Sequence, residues 1–119
     1  MAFNWAELYT VAEVLRTCNH EDISEEAFLR SATNRAYFMA YGVACTYAIS
    51  HLGFQNTKTA DCHAALRDLY RAKDRVDVAN ILEELRKWRN QCDYNDEVAN
   101  AVSIATGAIK KAKQILSKL

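Results

Sequence analysis

Apolar residues recur every three or four positions along most of this chain, the spacing that gathers them on one side of a helix. Leu8, Val11, Ala12 and Leu15 form the first such stripe, and it fades near Thr17. Asn4 followed by Glu7 resembles a capping box at its start. A polar connection, 18–22, leads to Ser24, an N-cap with Glu25 and Glu26 in the first turn behind it. The helix that begins there is predicted to run to about His51, with Gly53 as its stop. After a short loop, 54–58, Thr59 is expected to cap a third helix with Cys62, Ala65, Leu66 and Leu69 on one face. A charged turn, 73–77, precedes a fourth helix from about Asp77 to Tyr94, striped by Val78, Ile81, Leu82, Leu85, Trp88 and Cys92. Asp96 is the expected cap of a last helix that turns Val98, Ala101, Val102, Ala105, Ile109, Ala112 and Leu116 inward.

The pattern therefore specifies an all-α fold, an up-and-down bundle of about five helices in one domain spanning 1–119. Short loops make consecutive helices antiparallel neighbours. With no proline and three glycines the chain lacks the turn residues that an all-β fold needs. The second helix is apolar nearly all round. Phe28, Arg35, Phe38, Gly42, Cys45 and Ile49 mark one face and Leu29, Ala36, Ala40, Val43 and Tyr47 another. A helix of that kind is buried on all sides. Five helices cover one of their number with difficulty, so a homodimer with this helix at the seam is expected, a central helix in a monomer being the alternative.

Fifteen basic residues balance fifteen acidic ones, so no global positive field favours duplex nucleic acid. The four cysteines form no CxxC pair and three fall in apolar helical runs, where free thiols act as small hydrophobes. A reducing cytoplasm is the expected setting, and the start of the chain lacks the features of a signal peptide. Residues 36–57 carry no Lys, Arg, Asp or Glu, but the last third is polar, leaving about 14 usable residues where about 20 are needed to cross a bilayer. That stretch reads as a core helix. No Cys/His pair has a zinc spacing and no Gly-rich phosphate loop occurs, so neither metal nor cofactor is expected.

Chemistry concentrates at 86–94. On a helix Arg86, Asn90 and Asp93 line up, and Arg89 sits four before Asp93. Arginine suits phosphate through its rigid fork, and asparagine adds a neutral donor and acceptor. Trp88 offers a stacking face but also falls on the buried stripe. Arg35 lies on an apolar face and requires a carboxylate, for which Asp93 is the candidate. His63 flanks the buried face of the third helix, where a structural role is the simplest reading.

Three segments carry a resemblance. Ser31-Ala-Thr-Asn-Arg35-Ala-Tyr37-Phe38 is similar to the second-helix signature of HEPN domains, S-x-x-N-R-x-Y-Y. His63-Ala-Ala-Leu66 is similar to the H-x-x-L of their third helix, and Arg86-x-x-Arg89-Asn90-x-Cys92-Asp93-Tyr94 resembles R-x-x-R-N-x-A-D-Y. The resemblance covers about 24–94. It implies a four-helix core and a homodimer, with Arg35, Tyr37, His63 and Asp93 as structural or cleft residues. Many such proteins are ribonucleases, in which an arginine, often followed by asparagine, precedes a catalytic histidine by four to six residues. Others accompany a nucleotidyltransferase in toxin–antitoxin pairs, and some bind nucleotides. Arg89 and Asn90 match the start of the nuclease motif, but Tyr94 stands where the histidine belongs. Tyrosine, with a reference pKa of about 10, is a poor base, and losing acid–base catalysis forfeits about 10²–10⁴-fold in rate. The expected function is therefore a non-catalytic or weakly active homodimer. Its Arg86/Arg89/Asn90 cleft would bind nucleotide or RNA phosphate, or a partner nucleotidyltransferase. The alternative is a metal-independent ribonuclease toxin using Arg89, Asp93 and Tyr94, assisted by His63.

Overall fold

A computed structural model describes residues 2–119. It contains five helices, α1 (Glu7–Thr17), α2 (Glu25–His51), α3 (Asp61–Ala72), α4 (Val76–Tyr94) and α5 (Ala101–Lys118), and no strand among the described residues. Several boundaries follow directly from local chemistry. Ser24 Oγ accepts the Ala27 amide at 3.1 Å, satisfying an orphan donor at the start of α2. Gly53 takes φ +71° just past its end, and the Phe54 amide folds back onto the Ala48 carbonyl.

Three expected caps are corrected. Asn4 Oδ1 accepts the Ala6 amide and not that of Glu7, so no capping box forms and α1 begins at Glu7 without a side-chain cap. The Thr59 hydroxyl pairs with that of Thr57 instead of capping α3. Asp96 lies five residues ahead of α5, whose first turn is preceded by Asn100 in a left-handed conformation, φ 61°. Arg30 on α2 explains the delay. Its guanidinium donates to the carbonyls of Cys92, Asn95 and Asp96, satisfying the frayed end of α4 and holding the connection extended. Val98 is thereby left outside any helix.

The core forms around α2, which packs against α1, α4 and α5. Its buried surface is built largely of Ala32, Ala36, Ala40, Gly42, Ala44 and Ala48, small residues that let neighbouring helices approach closely. α3 leans mainly on α4 and touches α2 lightly, so these two consecutive helices are not close neighbours. One chain thus covers much of α2 by itself, while Ile49 remains 51 % exposed. On α5, Ala105, Ala108, Ile109, Ala112 and Ile115 face the core, whereas Val102 and Leu116, expected inside, are 55 % and 39 % exposed. Ala65 on α3 is exposed as well. Trp88 is half-buried against Gly107, where an added Cβ would meet its ring at 3.2 Å, and so belongs to the packing. Among the described residues no helix is long and apolar enough to cross a membrane.

Candidate functional site

The polar residues of α4 divide between two directions. Arg86, Asn90 and Tyr94, with Lys87, Gln91 and Asn95, line a shallow cavity of about 450 Å³ on the outer side of the helix. Arg89 turns toward α2. Its guanidinium carbon lies 5.2 Å from the centre of the Phe38 ring, 5.9 Å from Tyr37 and 5.5 Å from Tyr94, cation–π distances to three aromatic faces.

Asp93 pairs with Arg89 and not with Arg35 as the sequence suggested. Arg89 Nε stands 2.7 Å from Asp93 Oδ2, with each side chain 21 % exposed. The Nε–H is not directed at any acceptor, so this contact is ionic and not an aligned hydrogen bond. The directed bonds run from Nη1 to Asn90 Oδ1 at 3.3 Å and from Nη2 to the Tyr94 hydroxyl at 3.4 Å. Both are long. Arg89 is therefore held by charge and ring faces, and its donors retain capacity for an incoming oxygen.

Arg35 satisfies its guanidinium on its neighbour, donating Nε–H to Asn34 Oδ1 at 2.8 Å and Nη2–H to the same oxygen. The other end of the Asn34 amide donates to Asp93 Oδ2 at 2.9 Å, so one asparagine links the two arginine systems. The Arg35 guanidinium carbon sits 5.7 Å from the centre of the Phe38 ring. Two cations thus lie within cation–π distance of Phe38. Arg35 forms no ion pair among the described residues.

His63, from α3, completes the cluster. The Tyr37 hydroxyl hydrogen-bonds to His63 Nδ1, and the imidazole stacks on Tyr41 with ring centres 4.0 Å apart and planes 10° from parallel. Burial pushes the Tyr37 hydroxyl up to about 12, with the nearby arginines opposing, so it keeps its proton near neutral pH. Burial also lowers His63 below the ordinary histidine value, and Arg89, Arg67 and Arg86 lower it further. A tyrosine that keeps its proton can donate to Nδ1, which leaves the neutral ring's own proton on Nε2. Behind this pair Glu83 accepts a hydrogen bond from Arg86 Nη2 at 2.7 Å and forms an ion pair with Arg67 Nε, also at 2.7 Å. Those contacts hold the Glu83 carboxyl below its usual range, through the Arg86 hydrogen bond first.

The structure brings Arg35, Tyr37, His63, Arg89, Asp93 and Tyr94 into one connected surface and sets Arg86 and Asn90 at its edge. Asn34, Tyr41, Arg67 and Glu83 belong to the site and were missed. Tyr41 follows Tyr37 by four and Glu83 precedes Arg86 by three, spacings visible in the sequence. Asn34 stands in the S-x-x-N-R segment, although nothing in that pattern assigned it a role of its own. No group of three or more His, Cys, Asp or Glu that could hold a metal occurs among the described residues. No protein-family model, curated protein or solved structure matches this chain.

Proposed function

We propose that this chain is a phosphate-binding helical module of HEPN type, non-catalytic or weakly active. It acts as a homodimer whose arginine-lined face takes a nucleotide or RNA phosphate, or the surface of a partner nucleotidyltransferase, as in a toxin–antitoxin pair. The observation that carries this reading is the convergence of Arg35 and Arg89 on Phe38, with guanidinium carbons 5.7 and 5.2 Å from the ring centre. Four arginines, Arg35, Arg67, Arg86 and Arg89, face only two carboxylates, Glu83 and Asp93. The surplus is cationic, local and lined by aromatic rings, a setting in which phosphate charge and a stacked base are both accommodated. Tyr94, 70 % exposed beside Arg89, supplies a free ring.

Thermal melts with inorganic phosphate and with a short single-stranded RNA test the proposal. Ligand that binds only the folded state raises stability by about 2.7 kcal/mol at 100 times Kd. The wild type should be stabilised, with the effect much reduced in Arg35→Ala and Arg89→Ala and no RNA cut. A wild type indifferent to both ligands refutes the proposal.

The Tyr37–His63 pair favours a second reading as a ribonuclease. In the tautomer whose Nδ1–H donates to the Tyr37 hydroxyl, a histidine kept neutral among arginines presents a free Nε2, which has the properties of a general base for a ribose hydroxyl, with Arg89 holding the phosphate. On that reading RNA cleavage is lost in both His63→Ala and Arg89→Ala, whereas binding survives the first change.

A further inference from the structure

Two thiols lie beneath the loop that joins α2 to α3. Cys45 Sγ, on α2, accepts Asn56 Nδ2 at 3.6 Å. Cys62 Sγ, in the first turn of α3, accepts the Thr57 amide at 3.2 Å and lies 3.0 Å from the Thr57 hydroxyl. Consecutive loop residues, with Cα atoms about 3.8 Å apart, therefore hold the two sulfurs. The other hydrogen bonds of 55–60 remain within the loop, apart from the Cys62 amide to the Thr59 carbonyl that opens α3. The loop is fastened to the helices mainly through sulfur.

The two thiols differ in character. The Thr57 hydroxyl and the amides of Thr59, Thr57 and Lys58 hold Cys62 below the ordinary thiol value, with burial opposing. Burial, and after it the neighbouring Cys62, push Cys45 up. A thiolate-prone cysteine beside a protonated one is the arrangement of an attacking and a resolving thiol. Cys62 is 3 % exposed, stands outside the main hydrophobic cluster and meets the loop at Thr57. Lys58 in that loop holds φ 59°, a left-handed conformation that its Cβ disfavours.

We propose that Cys62 and Cys45 are a peroxide-oxidisable pair, and that bridging them unfastens residues 55–60. The Cys62 thiolate attacks one peroxide oxygen. The O–O bond breaks, Cys62 becomes a sulfenic acid, and the departing hydroxide takes up a proton as water. The Cys45 sulfur then attacks the Cys62 sulfur, the S–O bond breaks, and hydroxide leaves with the Cys45 proton as a second water. Each sulfur loses one electron and peroxide gains the two. A disulfide needs Cα atoms within about 7 Å, and the light contact between α2 and α3 lets the start of α3 shift as far as the bridge requires.

The test uses the full chain carrying Cys18→Ser, which removes the exposed thiol. After hydrogen peroxide, non-reducing peptide mapping should find the tryptic peptide 36–58 joined to 59–67 at monomer mass. Trypsin should cut after Lys58 at least about fivefold faster than in the reduced protein, the factor carried by one lost hydrogen bond. With Cys45→Ser added, dimedone should capture a sulfenic acid at Cys62; with Cys62→Ser instead, Cys45 should stay reduced. The proposal is overturned if Cys62 stays reduced, if it bridges to Cys92, or if bridging leaves cleavage after Lys58 unchanged.

Discussion

Gly42 is the position where a single methyl group should have the largest structural reach. It is buried in the middle of α2, where glycine is ordinarily unfavourable, and alanine there should stabilise the helix by about 0.5–1 kcal/mol. The space above it is taken. The Trp5 ring lies against the backbone, so that a Cβ at Gly42 would fall inside van der Waals contact with Cδ2 and Cγ and 2.6 Å from Cε3. The helix backbone cannot yield, so the indole must leave. Trp5 is half-buried, and a tryptophan covers about 150–250 Å² when fully buried. Losing half of that at about 25 cal/mol per Å² costs about 2–3 kcal/mol, which exceeds the gain in helix propensity. Gly42→Ala should therefore destabilise the protein by about 1–2 kcal/mol.

Urea melts measure the net effect, and ¹⁹F-labelled tryptophan NMR separates Trp5 from Trp88, the only two tryptophans. The Trp5 resonance should move toward its unfolded shift in Gly42→Ala while that of Trp88 stays. A cycle removes the remaining ambiguity. In a Trp5→Ala background the same Gly42→Ala change should become stabilising by up to about 1 kcal/mol, because only the propensity effect survives. A Gly42→Ala protein that is stabilised with Trp5 still docked would refute the reasoning.

Folded His63 binds its proton more weakly than the unfolded value of 6.5, so the unfolded state takes up the extra proton and stability falls as pH is lowered through 6.5, levelling below the folded value. One proton sets a ceiling of about 1.4 kcal/mol per pH unit, of which a half-exposed ring shows only part; urea midpoints should lose this slope in His63→Gln, and an unchanged slope would count against it. Tyr70, 0 % exposed, donates its hydroxyl to the Ala44 carbonyl at 2.6 Å, so Tyr70→Phe should lose about 1 kcal/mol in the same melts. Arg30→Met keeps the side-chain stem but removes the donors to three carbonyls, and amide exchange should quicken over 91–94 while mid-helix α2 is unaffected. Asp93→Asn removes the charge that competes for Arg89, so phosphate should stabilise this variant more than the wild type, even though the free protein melts lower.

The helices were legible because each has a stripe of its own, and α2 and α4 were placed to within a residue or two. What failed was local and had long-range causes. Asp96 has the chemistry of a cap, but Arg30, more than sixty residues earlier, holds the carbonyls on both sides of it and postpones α5 to Ala101. Val102 and Leu116 obeyed the helical period and still face outward, because the inward face of α5 is set by alanines that allow close approach to α2. Spacing alone cannot rank alanine above valine as a core residue. At the site, the sequence found Arg89, Asp93, Tyr37 and His63 as separate candidates. It could not find that Asn34 joins two of them, since that link depends on the rotation of α2 against α4.

The division of charge shows why the arginines of this surface are not equivalent. Arg67 and Arg86 share one carboxylate at 2.7 Å each, so an incoming phosphate must compete with Glu83 for both. Arg89 competes only with Asp93, through a contact that is close but not aligned. Arg35 competes with no carboxylate, only with the neutral oxygen of Asn34. Displacing a neutral amide forfeits less than displacing a carboxylate, because hydrogen bonds between charged groups are roughly twice as strong as neutral ones. The order of availability to an anion is therefore Arg35, then Arg89, then the Glu83-bound pair. An arginine on the apolar stripe of α2 thus contributes more free cationic capacity than Arg86 does from the polar cluster of α4.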